Sequence, residues 1–244
     1  IMENVKFVIP SFQRARQIQE KTLEFLDWQN ILRKDIYVFV RNDDPFLPLY
    51  ESINGINLIK TDVKGIGNTH NFITEYFEEG QFIVEIDDDL EKIIDNERRS
   101  IEDFKGIVNE MFTLMKNNNI SYGGTYSVTN PMFMSKCKQY TYDLRYCLGC
   151  LRFRFVRKDI VLQTNYAEDF ENCVKHFIRD GLILKNNWIC PVTKNYKDGG
   201  CDGDGRNVES EKADKEFLAN NYPNHCKLFQ RKNGRWDLRL KEHK

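Results

Sequence analysis

The chain has 244 residues, 41% of them hydrophobic and 30% charged, a composition that fits a folded globular protein and excludes a disordered or collagen-like one. A formal net charge of −1 excludes wide electrostatic capture of nucleic acid as the sole basis of function, while leaving room for a local basic face. No apolar run approaches the ~18 residues that cross a bilayer, so no membrane partner is expected.

Val5 to Ile9 is a short apolar run that stops at Pro10-Ser11 and predicts a buried strand. Ile18, Thr22, Phe25 and Leu26 fall at helical spacing and predict an amphipathic helix from about Ala15 to Gln29. Asp35 to Val40 is a second strand, closed by Arg41-Asn42-Asp43-Asp44-Pro45, and Ile56 to Thr61 a third. After the Gly65/Gly67 loop, Asn68 to Phe77 predicts a helix. Gln81 to Ile86 is a fourth strand and runs directly into Asp87-Asp88-Asp89. Ser100 to Met115 predicts another amphipathic helix, and the aromatic, cysteine-rich stretch from Tyr122 to Val161 predicts irregular strands. Glu168 to Gly181 predicts a helix stopped by its glycine. Lys197 to Arg206 is a glycine-rich loop with spaced acids, Glu209 to Asn220 a short polar helix, and Trp236 to Leu240 a strand in a locally basic tail.

Strands alternating with helices predict an α/β fold: a mostly parallel, Rossmann-like sheet flanked by helices, with a smaller mixed region on the C-terminal side. No repeat or linker divides it, so a single domain over residues 1–244 is expected, binding a nucleotide through residues up to about 95 and an acceptor through the rest. Ligands sit at the carboxyl ends of such strands. Pro10-Ser11-Phe12, Asn42-Asp43-Asp44 and the acidic triplet all fall there. The seven cysteines are odd in number and no apolar leader precedes them. Met2 resembles a start residue behind one extra residue, and the thiols are expected reduced in an intracellular, cytoplasmic or nuclear, protein. Cys147 and Cys150 lack a second Cys or His pair nearby and are expected to be buried thiols.

The triplet carries the strongest chemical signal. Three adjacent carboxylates repel one another unless a cation relieves the strain. Their hard oxygens suit Mn2+ or Mg2+ held together with substrate phosphates. Lys64-Gly65-Ile66-Gly67-Asn68-Thr69-His70-Asn71 lets backbone approach a phosphate at a helix start, with Lys64 as a point charge, but it matches neither a dinucleotide fingerprint nor a P-loop. Arg14, like Arg16, can hold a diphosphate or cover a helix face. Asn42, Asp43 and Asp44 can face a nucleobase or ribose, or form a plain turn. Glu168 and Asp169 open a helix, where a carboxylate serves as a general base or as a cap. His176 is expected to be structural.

These segments together resemble GT-A glycosyltransferases: V-I-P-S-F-Q-R, I-Y-V-F-V, K-G-I-G-N-T-H-N-F-I and F-I-V-E-I-D-D-D-L, the last similar to the D-x-D metal motif. Within that class the chain resembles the TET-associated DNA glycosyltransferases, related to the base J glucosyltransferases. The narrower likeness rests on Ile9-Pro10-Ser11-Phe12-Gln13-Arg14, Lys21-Thr22-Leu23, Glu168-Asp169-Phe170-Glu171, Asp180-Gly181, Gly199-Gly200 and Tyr222-Pro223. The resemblance implies a UDP-sugar donor and a hydroxymethylated pyrimidine of DNA as acceptor. It also implies Asp87 and Asp89 as metal ligands, Asp88 beside the donor, and Asp169 or Glu168 as the base. Phe12 and His70 depart from the family pattern. A glycan acceptor, an inactive nucleotide- or nucleic-acid-binding module, and a two-metal nuclease or nucleotidyltransferase are the competing readings.

Overall fold

A computed structural model describes residues 4–193 and 199–241, the side chains of Cys201 and Asp202 aside. Ile1 and Met2, Lys197 and Asp198 of the glycine-rich loop, and Glu242 to Lys244 of the tail lie outside the described residues.

The N-terminal half alternates as the sequence predicts. Strand β1 (Val5–Ser11) leads into a helical segment α1 (residues 15–28), then β2 (Ile36–Arg41), α2 (Leu47–Glu51), β3 (Asn57–Thr61), α3 (Ile66–Tyr76) and β4 (Phe82–Ile86). β1 runs two residues further than its apolar pattern, because Pro10 and Ser11 stay in register with Phe39 and Val40 of β2. After the triplet comes β5 (Leu90–Asp95), then α4 (Phe104–Asn117), β6 (Tyr122–Thr125), α5 (Pro131–Met134), β7 (Tyr140–Thr141) and β8 (Leu151–Phe155). The chain ends with α6 (Glu168–Asp180), β9 (Leu184–Asn186), β10 (Ile189–Thr193), α7 (Gly200–Gly203), α8 (Val208–Asn221), β11 (Cys226–Gln230) and β12 (Trp236–Leu240).

Eight strands form one sheet in the order β3-β2-β1-β4-β8-β6-β9-β7. β3, β2, β1 and β4 are parallel, whereas β8 is antiparallel to both β4 and β6. β5 pairs antiparallel with β10, and β11 with β12, in two small separate sheets. β5 and β11 were not legible as strands. Each exists through its distant or hairpin partner rather than through its own pattern.

Period-two alternation sorts the side chains of β4 and β8 onto two faces. Val84, Ile86, Leu151, Phe153 and Phe155 join the main core with Phe104, Val108 and Met111 of α4. On the other face Ile83 packs with Ile73 of α3 and with Phe77 just after that helix, but further along that face the sheet carries Glu85, Arg152 and Arg154, all buried. Burial of charge is tolerated only with partners. Arg154 ion-pairs with Glu85 and donates to the Thr74 hydroxyl at 3.2 Å. His176 stacks on Tyr122 and meets the Ser121 hydroxyl at 2.7 Å, so it is structural. α6 ends at Gly181 with φ 78°, the left-handed cap its sequence predicts. The Cys147 and Cys150 thiols are buried and free. No helix among the described residues is long and apolar enough to cross a membrane.

Candidate functional site

The triplet leaves β4 at the carboxyl edge of the parallel strands, and the first motif closes on it. Asp88 accepts from the Ser11 hydroxyl at 2.6 Å and from the Arg14 guanidinium at 3.0 Å, and Arg14 lies 3.5 Å from Asp89. Arg14 thus faces the carboxylates rather than an outer helix face. Tyr50 of α2 completes the clasp through the Ser11 hydroxyl at 2.7 Å and the Arg14 N–H at 3.0 Å. A π-helical turn at Gln19–Leu23 within α1 places Thr22 beneath the triplet. Its hydroxyl donates to the Asp87 carbonyl at 2.7 Å and accepts from the Leu90 N–H at 3.0 Å. Lys21 beside it pairs with Glu91 at 2.8 Å. The Lys21-Thr22-Leu23 motif therefore fixes the backbone on both sides of the acidic turn.

The second cluster lies beside the first. Asp44 accepts from the Gln13 N–H at 2.6 Å, which ties the end of β2 to the end of β1. Arg41 stacks over the Phe12 ring at 4.2 Å and pairs with Asp43 and Asp204. The hydrogen bond from Arg41 holds the Asp43 carboxyl below its usual range. Asn42 donates to Asp62 at 2.8 Å, and Lys64, largely exposed, stands 3.6 Å from Asp43.

The glycine loop also makes contacts within the protein. Gly65 has φ 88° and its N–H donates to Asp204 at 2.8 Å. A Cβ at Gly65 would run into the Asn165 side chain, and one at Gly67 would land on the Thr164 carbonyl oxygen. These glycines admit the 164–165 segment into close contact with the loop. Asn71 braces Leu162, just before that segment, through its one side-chain amide, whose NH2 donates to the Leu162 carbonyl at 2.8 Å and whose oxygen accepts from the Leu162 N–H at 2.7 Å. Because the obstacle at Gly67 is backbone, Gly67→Ala is expected to cost about 2 kcal/mol or more in urea unfolding. A cost below about 0.5 kcal/mol would show that the 164–165 segment moves freely away.

Helix α6 brings the third set. Glu168 and Asp169 stand at its N-terminus, and Glu171, fully buried, holds the covering segment through the Gln163 N–H at 2.9 Å and the Thr164 N–H at 2.8 Å. Asp169 accepts from the Tyr146 hydroxyl and, through its other oxygen, from the Phe170 N–H at 2.8 Å. Glu168 lies 3.5 Å from Arg152, the largest fully buried side chain, which also donates to the Gly149 carbonyl at 2.8 Å. In the sequence, Arg145, Arg152 and Arg154 of the aromatic stretch Tyr140 to Phe155 read either as a DNA-contacting edge or, preferably, as part of a buried sheet face, and Arg152 and Arg154 are buried; Tyr146 carries no such signal. The alternation Leu151-Arg152-Phe153-Arg154-Phe155 placed both arginines on one strand face, and the signal that they mattered was Glu85 in an otherwise apolar central strand.

Electrostatics joins these groups. Burial pushes the Asp87 carboxyl up to about 6, with the charges of Asp88 and Asp169 adding and those of Arg152 and Arg14 opposing. Burial, then Asp87 and Asp88, push Asp89 up to about 7. Asp88 is raised by burial in spite of Arg14 and Ser11. Burial pushes Glu168 up to about 8, with Asp169 and Asp87 contributing. Asp87 and the Glu168-Asp169 pair therefore lie within each other's field, although some 80 residues separate them in the chain. This sheet edge carries more carboxylate than Arg14 and Arg152 neutralise. That is the donor set and charge balance a divalent cation fits. Among the described residues no group of three or more His, Cys, Asp or Glu side chains is placed to hold a metal ion by itself. One or two carboxylates completed by substrate oxygens match Mn2+ or Mg2+ chemistry better.

Of the remaining motifs, Gly199-Gly200 meets this edge, whereas Asp180-Gly181 closes the far end of α6, where Asp180 accepts from the Ser121 N–H at 2.7 Å. The Gly200 N–H donates to the Phe12 carbonyl at 2.8 Å, and a Cβ on Gly200 would press on the Arg14 guanidinium, so the glycine pair lies directly over the first motif.

A parallel β3-β2-β1-β4 half, an antiparallel extension through β8, and an acidic turn after β4 define the GT-A fold. Solved structures share it. The chain resembles Staphylococcus aureus TarS 1–349 in complex with UDP-GlcNAc, with TM-score 0.59 and 15% identity, over 88% of this chain and 65% of that one. It resembles glucosyl-3-phosphoglycerate synthase from Mycobacterium tuberculosis, in complex with Mn2+, UDP and phosphoglyceric acid, with TM-score 0.56 and 11% identity, over 98% and 87%. It also resembles the mannosyltransferase PcManGT from Pyrobaculum calidifontis, in complex with GDP-Man and Mn2+, with TM-score 0.51 and 14% identity, over 75% and 56%. At these identities the likeness establishes the fold. No protein-family model and no curated protein matches the chain.

Proposed function

We propose that this chain is a metal-dependent glycosyltransferase that moves a sugar from a UDP-sugar to a hydroxyl, with a hydroxymethylated pyrimidine of DNA as acceptor. The observation that carries the proposal is the convergence of the over-acidic triplet and the Glu168-Asp169 pair on one sheet edge of a GT-A fold. Support for the donor comes from the sugar nucleotides and Mn2+ bound to the similar structures. Support for the DNA acceptor comes from the family resemblance of the motifs that build the site.

On this proposal Asp87 and Asp89 hold the cation, which supplies charge neutralisation at the leaving diphosphate. Asp88 is committed to Ser11 and Arg14 and orients the turn. Pro10 and Ser11 floor the donor site, Asn42 and Asp43 face the nucleoside, and Lys64 reaches the diphosphate. Gly65 and Asn71 shape its wall. Asp169 takes the acceptor proton, because Glu168, at about 8, is largely protonated at neutral pH. Residues up to about 95 bind the donor and the remainder the acceptor.

The test is incubation with Mn2+ and a panel of UDP-sugars, with and without duplexes containing 5-hydroxymethylcytosine or 5-hydroxymethyluracil, read by mass spectrometry. A sugar mass added only to hydroxymethylated DNA supports the full proposal. Donor hydrolysis without DNA modification keeps the enzyme class and moves the acceptor to glycans. No turnover with any donor overturns it.

A further inference from the structure

Beside the candidate base lies a cleft of about 530 Å³, lined by Asp169, Tyr146, Phe170 and Lys185 on one side and by the β11–β12 hairpin on the other. Its charge is lopsided. Arg145, Lys185, Arg206, Lys215, Arg231 and Arg239 line it against only two carboxylates, Asp169 and Asp237. Several of these cations are neutralised within the protein. Arg231 pairs with Asp237, Lys215 stands 3.6 Å from Asp237 and 3.7 Å from Glu211, Arg206 is 2.6 Å from Glu211, and Arg145 is 2.7 Å from Asp143.

Lys185 and Arg239 are different. Among the described residues neither meets a carboxylate at ion-pair distance. Lys185 is 7% exposed, and its ammonium donates to the Tyr146 carbonyl at 2.6 Å and sits 5.2 Å from the centre of the Tyr126 ring. An ammonium carries three N–H donors, and an ammonium buried this deeply without an anion is costly. Arg239 is exposed, with its guanidinium 5.1 Å from the centre of the Phe229 ring, leaving its hydrogen-bonding edge for a ligand. Geometry also fixes where a bound anion would lie relative to the chemistry. Tyr146 spans the gap, its carbonyl on Lys185 and its hydroxyl on Asp169. An anion on Lys185 therefore lies about one tyrosine length from the carboxylate assigned to deprotonate the acceptor.

We propose that this cleft is an acceptor subsite for a phosphate group, held by Lys185 and Arg239, so that the acceptor carries a phosphate a few bonds from its reacting hydroxyl. The proposal rests on the glycosyltransferase reading for the role of the site, but not for its affinity. The phosphate comes either from the phosphodiester of a polynucleotide or from a small phosphomonoester.

Binding is measured on the full chain with three probes: inorganic phosphate without metal, a hydroxymethylcytosine-containing oligonucleotide, and UDP with Mn2+. Wild type is compared with Arg239→Ala and Lys185→Met. The expected result is that each substitution weakens phosphate or oligonucleotide binding about tenfold or more while UDP–Mn2+ affinity stays within about twofold. Arg239 is exposed, so its substitution keeps the test decisive if Lys185→Met folds poorly. Phosphate and oligonucleotide both weakened identifies a polynucleotide source. Phosphate weakened with no oligonucleotide binding identifies a small phosphomonoester. Unchanged binding of both probes in Arg239→Ala, or no binding of either to wild type, overturns the subsite. Loss of UDP–Mn2+ binding in wild type, with phosphate binding intact, instead overturns the donor reading.

Discussion

Replacing Asp89 with asparagine is expected to abolish metal-dependent donor turnover, by about a thousandfold, and at the same time to make the metal-free protein more stable. Both effects have one origin. Burial and the neighbouring Asp87 and Asp88 raise the Asp89 carboxyl from its ordinary value to about 7. A carboxyl raised in the folded state binds its proton there while the unfolded chain has already lost it. Its contribution to stability is therefore present at low pH and is lost as pH rises from about 4 through about 7. Asparagine removes that loss, so the variant should gain little at pH 4 and most above pH 7, of order 1–2 kcal/mol after screening on the open side. Wild type should recover the same stability when Mn2+ and UDP are added, and more at pH 8 than at pH 6, because the ligands must be deprotonated. Thermal unfolding across pH, with and without Mn2+, measures all of this. A variant that is less stable than wild type at pH 8 without metal would show that the triplet is a structural turn.

Asp169→Asn should lower kcat by about 10²- to 10⁴-fold, the usual contribution of a positioned general base, with UDP–Mn2+ affinity changed only about twofold to threefold through the loss of its charge near Asp87. Asp169 does not touch the residues assigned to the donor, and its oxygens are oriented by Tyr146 and the Phe170 N–H. Tyr146→Phe should lower kcat by about tenfold with little change in KM, since it removes one orienting hydrogen bond near the carboxylate. Steady-state kinetics with saturating donor gives both numbers. Full activity in Asp169→Asn together with loss in Glu168→Gln would transfer the role to Glu168. That outcome requires the Glu168 proton to be released, and a kcat that rises with pH toward 8 would accompany it.

The parallel half of the sheet was legible because its strands are apolar runs that end in polar clusters, and its helices carry their apolar residues at helical spacing. The same local rules placed the acidic triplet at a strand end and Gly181 after its helix. Other motifs were legible as patterns but not as functions. Lys21-Thr22-Leu23 gave no hint that Thr22 clamps the Asp87 carbonyl and the Leu90 N–H, because that depends on a π-helical turn and on packing of α1 beneath the triplet. Glu171 stands in a helix start that suggests catalysis or capping, yet it is buried and holds the backbone of Gln163 and Thr164. The glycines at 65 and 67 suggested a phosphate cradle. In the fold they also admit the 164–165 segment, a contact between residues roughly 100 positions apart.

The sequence by itself determined the α/β class, the polar clusters at the ends of the N-terminal strands and the acidic turn, because strand and helix periodicity and local charge repulsion act over a few neighbouring residues. Only the tertiary structure decided that Arg14 faces Asp88 and that Arg152 lies under Glu168. It also decided that β8 runs antiparallel beside β4, and that Lys185 and Arg239 face one cleft next to Asp169. Those are long-range pairings. Burial, which shifts the carboxyls, and the meeting of distant charges both depend on how the layers pack, and no local pattern encodes either.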